Sequence, residues 1–170
     1  MRVKKFCTST GFLLIIGFCA CSQAKPGNRV VPGSSEDVKT FPGAKPNAYW
    51  KKVLSPEAYE IMVNKGTERP FNNPYWNNHA KGIYVSAATG KPLFSSDAKF
   101  DSGTGWPSFF KPIDPKAIMI VKDYSDGMER DEVLERSTGL HLGHVFDDGP
   151  APTGLRYCLD SYALRFIETK

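Results

Sequence analysis

Residues 139–166 read GLHLGHVFDDGPAPTGLRYCLDSYALRF. Successive side chains of an extended strand point to opposite faces, so Arg156, Cys158 and Asp160 share one face while Leu155, Tyr157 and Leu159 share the other. That sets a thiol beside a cation, an arrangement that favours thiolate and lowers the Cys158 pKa toward neutrality. His141 and His144 lie upstream with opposite strand parity, and Gly143 between them is placed to supply a bulge that turns both toward one site. An imidazole can donate a proton to a leaving oxygen, which a thiol attacking an oxidised centre requires. A histidine pair in a strand is more often structural than catalytic; its combination with Cys158 makes it a candidate.

Working outward, strands are expected at 140–146, 155–160 and 162–167. Upstream, 83–87 and 92–94 flank the turn Ala88-Thr89-Gly90-Lys91, and 117–124 meets 128–135 through Ser125-Asp126-Gly127. Helical signals come earlier: Ser55 is a good N-cap, Pro56 a good first-turn residue and Glu57 well placed against the helix dipole, predicting a helix to about Asn64 with a shorter turn of helix before it at 48–54. No internal repeat is present. The expected fold is mainly β, a β-rich α+β domain whose antiparallel strands form two packed sheets with short N-terminal helices.

The chain has 170 residues, 41% hydrophobic and 24% charged, which suits one globular domain plus a tail. Arg2, Lys4 and Lys5 precede an apolar run over 12–20, too short to cross a bilayer that needs about 20 apolar residues, so residues 1–21 read as an export signal. Cleavage before Cys21 with lipidation gives a periplasm-facing membrane lipoprotein; cleavage after Ala24 gives a soluble periplasmic or secreted protein. Residues 22–46, with four prolines and three glycines, read as a tether, and 47–170 as the body. The formal net charge of +4 owes three cations to the signal. No cluster of Lys and Arg with interleaved aromatics marks a nucleic-acid binder. Cys7, Cys19 and Cys21 all belong to the signal, so Cys158 is the one thiol of the body and no internal disulfide framework exists there. An unpaired thiol in an exported protein points to reactivity, although composition alone equally describes a buried cysteine serving as a small apolar residue.

The stretch 100–110, FDSGTGWPSFF, sets a turn-forming Gly-Thr-Gly against Trp106, Phe109 and Phe110, aromatics that either pack the core or wall a pocket for an apolar group. Two other functions use the same residues. His141, His144, Cys158 and Asp148 are of types that suit zinc, and the aromatics alone describe a non-catalytic binding module.

KGTERPF at 65–71, NPYWN at 73–77, GIYV at 82–85, PLFSS at 92–96, GWPSF at 105–109, HLGHVFDDGP at 141–150 and PTGLRYC at 152–158 together resemble the peptide methionine-(R)-sulfoxide reductases, the MsrB family. The resemblance implies a β-rich fold and an oxidoreductase that repairs proteins under oxidative stress by reducing the R epimer of methionine sulfoxide. By it Cys158 matches the nucleophile and Arg156 the basic residue two before it. His141 and His144 match the polar groups around the sulfoxide oxygen, and Trp106 the aromatic that receives the substrate methyl, with Phe109 and Asp160 beside it in substrate binding. The enzyme is expected to pass through a sulfenic acid and to act as a monomer on oxidised proteins or peptides. No bound cofactor is expected, and the reductant is a thioredoxin-like donor or another thiol.

Three departures from the family pattern stand out. Thr104 occupies the place of a frequent resolving cysteine. Ser86, Thr89, Glu135 and Thr138 occupy the places of two CxxC pairs that hold structural zinc in many members, and four such ligands are needed for a tetrahedral site, so a zinc-free member is expected. Asp160 replaces a frequent Asn, and its charge opposes that of Arg156 at the thiol.

Overall fold

A computed structural model describes residues 41–169. Two short helices, α1 (Asn47–Val53) and α2 (Pro56–Met62), precede nine strands. Helix α2 starts where the sequence places it, with the Ser55 hydroxyl accepting the Ala58 N–H at 3.1 Å, and it ends at Met62, two residues short of Asn64. The export-signal reading and most of the tether lie outside the described residues. Within residues 41–46, read as tether from sequence, two positions touch the body: the Gly43 N–H donates to the Ser137 carbonyl at 2.7 Å, and the Phe41 ring lies against Gly139.

The strands form two antiparallel sheets. The smaller joins β1 (Gly82–Ser86) to β2 (Pro92–Ser95) on one side and to β9 (Leu164–Glu168) on the other. The larger runs β3-β4-β8-β7-β6-β5, built from β3 (Lys99–Phe100), β4 (Ser108–Phe109), β5 (Ile118–Asp123), β6 (Arg130–Glu135), β7 (His141–Phe146) and β8 (Arg156–Leu159). The β5–β6 turn contains Asp126 at φ 56°, a left-handed conformation that Asp tolerates. Strands β3 and β4 have two residues each and were not foreseen, since so short a run carries no periodicity.

The sheets meet through aromatic rings. Tyr84 and Phe94 of the smaller sheet pack on Phe109 at 5.0 and 4.8 Å between centroids, and Phe94 reaches Tyr157 at 5.6 Å. All four rings are essentially inaccessible to water, and Trp50, Ile61 and Met62 of the helices close the same core. Phe109 is therefore a core residue and not part of a substrate pocket as the sequence reading had it. In the β4–β8 ladder Phe109 pairs with Tyr157 and Ser108 with Cys158, so strand alternation turns Phe109 away from the thiol.

A second junction is polar. Ser86, at the end of β1, and Thr89, Ser137 and Thr138 in turns all donate hydroxyl hydrogens to the carboxylate of Glu135, at 2.5–3.1 Å. The Ser86, Thr89 and Thr138 hydroxyls also accept backbone N–H groups. Glu135 is wholly buried, so a carboxylate saturated with donors cross-links the two sheets at the four positions considered above for zinc. The residues present do not fit that ion, because one carboxylate surrounded by donating hydroxyls offers neither thiolate nor imidazole. Replacing Glu135 with Ala leaves several buried hydroxyls without an acceptor and should destabilise the fold by about 2–4 kcal/mol. Urea unfolding measures this, and a loss below about 0.5 kcal/mol, the scale of an ordinary surface substitution, would rule out the cross-link.

Candidate active site

Strand β8 is interior to the larger sheet, and Cys158 pairs with Ser108 of β4 on one side and with His144 of β7 on the other. Opposed residues of antiparallel strands project to the same face, so the thiol, the Ser108 hydroxyl and the His144 ring rise together from the face opposite Tyr157. The register shifts in β7, where Val133 opposes Gly143 but Leu134 opposes His141, and this bulge brings the two imidazoles to 5.3 Å between centroids despite their parity. Gly143 has φ 147°, and a Cβ there would meet the Cys158 carbonyl oxygen at 2.2 Å. Only glycine lets β7 approach β8 so closely.

A cleft of about 140 Å³ at the thiol is lined by Cys158 together with Trp106, His144, Phe146, Thr67 and Asp160. A larger groove of about 540 Å³ lies near Ile113, Leu155 and Tyr157, but it contains no thiol or imidazole. The chemistry therefore lies in the smaller one. Its volume is well under the roughly 300–1,000 Å³ of a pocket for a whole ligand or cofactor, and it suits a single side chain projecting from a larger molecule.

The thiol is half-buried, and burial, the largest influence on it, raises its pKa. Arg156 and the Thr104 and Ser108 hydroxyls pull the pKa back, while the Asp160 carboxylate adds to the rise. The balance between Arg156 and Asp160, left open by the sequence, is overridden by burial, and the thiol pKa is raised. The guanidinium is shared: besides acting on the Cys158 sulfur, its Nε and Nη2 donate to the two Asp148 oxygens at 2.8 Å each, and it stacks on Phe146 at 4.3 Å. Thr104 faces the thiol at 3.9 Å and belongs to a hydroxyl chain, Thr104–Ser102–Ser108, with links of 2.8 and 2.7 Å.

The two histidines differ in environment. His141 is buried behind the cleft, with Nδ1 at 2.7 Å from Glu132 and Nε2 at 3.6 Å from Asp160, an ion-pair distance longer than a good hydrogen bond. Burial opposes its charge, yet the two carboxylates prevail and its pKa is raised. Lys65 anchors Glu132 from the other side at 2.9 Å. His144 lines the cleft, and its Nε2 lies 2.9 Å from Asp123, which it shares with Arg130. Burial lowers the His144 pKa and the neighbouring cations His141 and Arg130 reinforce this, outweighing Asp123. With Asp123 held ionised by hydrogen bonds from Ser125 and His144, the neutral imidazole carries its proton on Nε2 and leaves Nδ1 free.

The structure thus brings Cys158, His144, Trp106 and Asp160 to one cleft, with Arg156 at its flank, His141 behind it and Phe109 outside it. Sequence reasoning missed Thr67, which donates to Asp160 at 2.9 Å, and Glu68. The Glu68 carbonyl accepts the Trp106 indole N–H at 3.2 Å, and its side chain accepts the backbone N–H groups of Ser161 and Tyr162 at 2.6 and 3.1 Å. Burial pushes the Glu68 carboxyl up to about 7 against those two donors.

Residues 54–168 match the model of the SelR domain. The chain is 52% identical over 122 residues to the peptide methionine sulfoxide reductase MsrB of Agrobacterium fabrum, covering 72% of this chain and 90% of that protein. It is 54% identical over 122 residues to the protein of the same name from Thiobacillus denitrificans, covering 72% and 92% of the two chains. For that of Methanosarcina barkeri the identity is 55% over 117 residues, covering 69% and 82%. With residues 54–168 matched and about half of the aligned residues shared with relatives covered to 82–92% of their length, the chain belongs to the MsrB family.

Proposed function

We propose that this protein reduces the R epimer of methionine sulfoxide in oxidised proteins or peptides, with Cys158 as nucleophile. The observation that carries the reading is a half-buried thiol at the bottom of a side-chain-sized cleft, flanked by an indole and an imidazole. The Trp106 face receives the sulfoxide methyl and places the sulfur over Cys158. Sulfur, not carbon, is the centre attacked. The thiol carries its proton at neutral pH, so His144, opposite it in the β7–β8 ladder, accepts that proton on Nδ1 and hands it to the sulfoxide oxygen. The oxygen passes to the cysteine, and thiol plus sulfoxide become sulfenic acid plus methionine with all atoms accounted for. Asp160 and His141 hold the edge of the cleft, and Arg156 steadies the developing negative charge on sulfur.

Because Cys158 is the only cysteine among the described residues, regeneration falls to an external thiol. That thiol attacks the sulfenic acid and releases water, and a second thiol resolves the mixed disulfide when the donor is a thioredoxin-like dithiol. In an assay with dithiothreitol on both epimers of a peptide sulfoxide, the R epimer should be consumed and the S epimer spared, and Cys158→Ser should abolish turnover. Persistent turnover by that variant would remove the mechanism. A donor lacking its resolving cysteine should be trapped on Cys158 as a covalent adduct visible by mass spectrometry.

The raised thiol pKa makes a separate prediction about the free enzyme. Thiolate forms only as pH rises through that pKa, so iodoacetamide should alkylate Cys158 more slowly than free cysteine at neutral pH, with the midpoint of the rate profile above the ordinary thiol range of about 8.5. Asp160→Asn removes a charge that opposes thiolate and should shift the profile to lower pH. A wild-type midpoint at or below neutrality would contradict the assignment of burial as the dominant effect.

For the location we propose export with lipidation of Cys21, on the strength of the Arg2, Lys4 and Lys5 cluster, the apolar run over 12–20 and Ala20-Cys21. The full-length protein should then partition into detergent, and Cys21→Ala should release it without loss of activity. A mature, soluble protein starting at Lys25 would replace this reading with simple secretion.

A further inference from the structure

Residues 67–76 cross the loop that carries Trp106, and they end in an exposed aromatic pair that the proposed chemistry does not use. Phe71 is 54% and Trp76 36% exposed, and their rings meet edge to face at 5.4 Å between centroids. The two rings in contact form one contiguous apolar patch, the kind of surface feature that marks an interaction site. They are also held firmly. The Phe71 N–H donates to the Gly105 carbonyl at 2.9 Å, and the Phe71 ring lies so close to the Gly105 α-carbon that a Cβ there would come within 2.8 Å of it. Asn73 completes the anchorage. Its amide donates to the Gly105 and Arg69 carbonyls at 2.8 and 3.2 Å, while its oxygen accepts from the Ser161 hydroxyl and from the Trp76 N–H at 2.6 and 3.1 Å.

Phe71 has φ 59°, a left-handed conformation that a bulky residue rarely adopts. Backbone strain of this kind persists where the surroundings impose it, and it gathers at ligand-binding positions. The same strap begins at Thr67, on the rim of the cleft, and its Glu68 carbonyl holds the Trp106 indole. A patch fixed to Gly105 is therefore one residue along the chain from the wall of the cleft, and the cleft is too small to hold more than one side chain of whatever enters it.

We propose that Phe71 and Trp76 form a subsite for the polypeptide that carries the oxidised methionine, receiving an aromatic or aliphatic side chain close in sequence to the sulfoxide. This rests on the reading of the cleft as a methionine sulfoxide site. A methionine oxidised within an apolar segment, the kind exposed when a protein core opens, is thereby preferred over one in a Gly- or Ser-rich segment.

The test compares three R-sulfoxide substrates on the full-length enzyme with dithiothreitol: a peptide with Leu and Phe flanking the sulfoxide, a peptide of equal length with Gly and Ser flanking it, and N-acetylmethionine sulfoxide. In the wild type kcat/KM should be highest for the apolar peptide. Phe71→Ser and Trp76→Ser should each reduce the ratio of kcat/KM for the apolar peptide to that for N-acetylmethionine sulfoxide by about tenfold, mainly through KM, the scale of losing one buried aromatic contact. Phe71→Asn, which accepts the left-handed backbone readily, repeats the test with the strap conformation kept. Equal losses on all three substrates, or no preference in the wild type, would overturn the subsite. Should the wild type turn over none of the three, the reading of the cleft fails, and the subsite is judged separately by calorimetry with the unoxidised apolar peptide: binding weakened by Trp76→Ser supports it, and no binding rejects it.

Discussion

The alternation of a single strand governs this molecule. Tyr157 points inward to Phe94 and the ring cluster that joins the sheets, and the next residue, Cys158, necessarily points outward. Because β8 is hydrogen-bonded to β4 on one side and β7 on the other, the thiol cannot shift along the strand without breaking two ladders and turning Tyr157 out of the core. The position of Cys158 is thus a by-product of apolar packing. Its neighbours inherit their places from the same registers, Ser108 from β4 and His144 from β7.

A second constraint is the number of carboxylates taken out of water. Glu68, Glu132, Glu135 and Asp160 are all buried. Each is tolerated in a different way: Glu135 by hydroxyls, Glu132 by Lys65 and His141, Asp160 by Thr67 and the Glu68 N–H, and Glu68 by two backbone donors. Burial draws Glu68 toward its neutral form, and the neighbouring Asp160 charge adds to this against the backbone donors. Asp160 lines the cleft, Glu132 pairs with His141, and Glu68 holds the Trp106 indole through its carbonyl and the 160–162 turn through its side chain, so three of the four frame the site. The fourth lies at the other junction of the sheets and serves the fold.

Much of this was legible because it depends on local periodicity. The β8 alternation, the Ser55 cap, the hairpin turns and the Gly143 bulge each involve residues within a few positions of one another, and the sheet count followed from them. Phe109 was misplaced for the same reason: beside Phe110, in a run broken by Gly and Pro, it shows no parity until its pairing with Tyr157 is known. Glu68 and Thr67 were missed because their partners, Ser161 and Asp160, lie 93 residues further along the chain. The presence of Arg156 beside Cys158 was readable, but the fork that Asp148 and Phe146 engage, and the burial that outweighs it, were not. Charge proximity can be read from sequence, whereas desolvation depends on everything packed around the group.

A side chain entering the 140 Å³ cleft expels the water over Cys158 and removes what solvation a thiolate would have had, so filling the site raises the thiol pKa further. Prior ionisation is then an unfavourable route, and a stronger field from Arg156 would have to overcome both Asp148 and the loss of water. Transfer of the proton during attack avoids the free thiolate altogether, since negative charge leaves sulfur as the oxygen is protonated. It requires a neighbour that is neutral at rest and able to accept and release a proton within the cleft. In the proposed mechanism His144, with its pKa lowered by burial and by His141 and its Nε2 committed to Asp123, fills that role, whereas the two carboxylates around His141 raise its pKa and favour its charged form. In the proposed mechanism, the difference between two imidazoles 5.3 Å apart is what lets a half-buried, protonated thiol serve as a nucleophile.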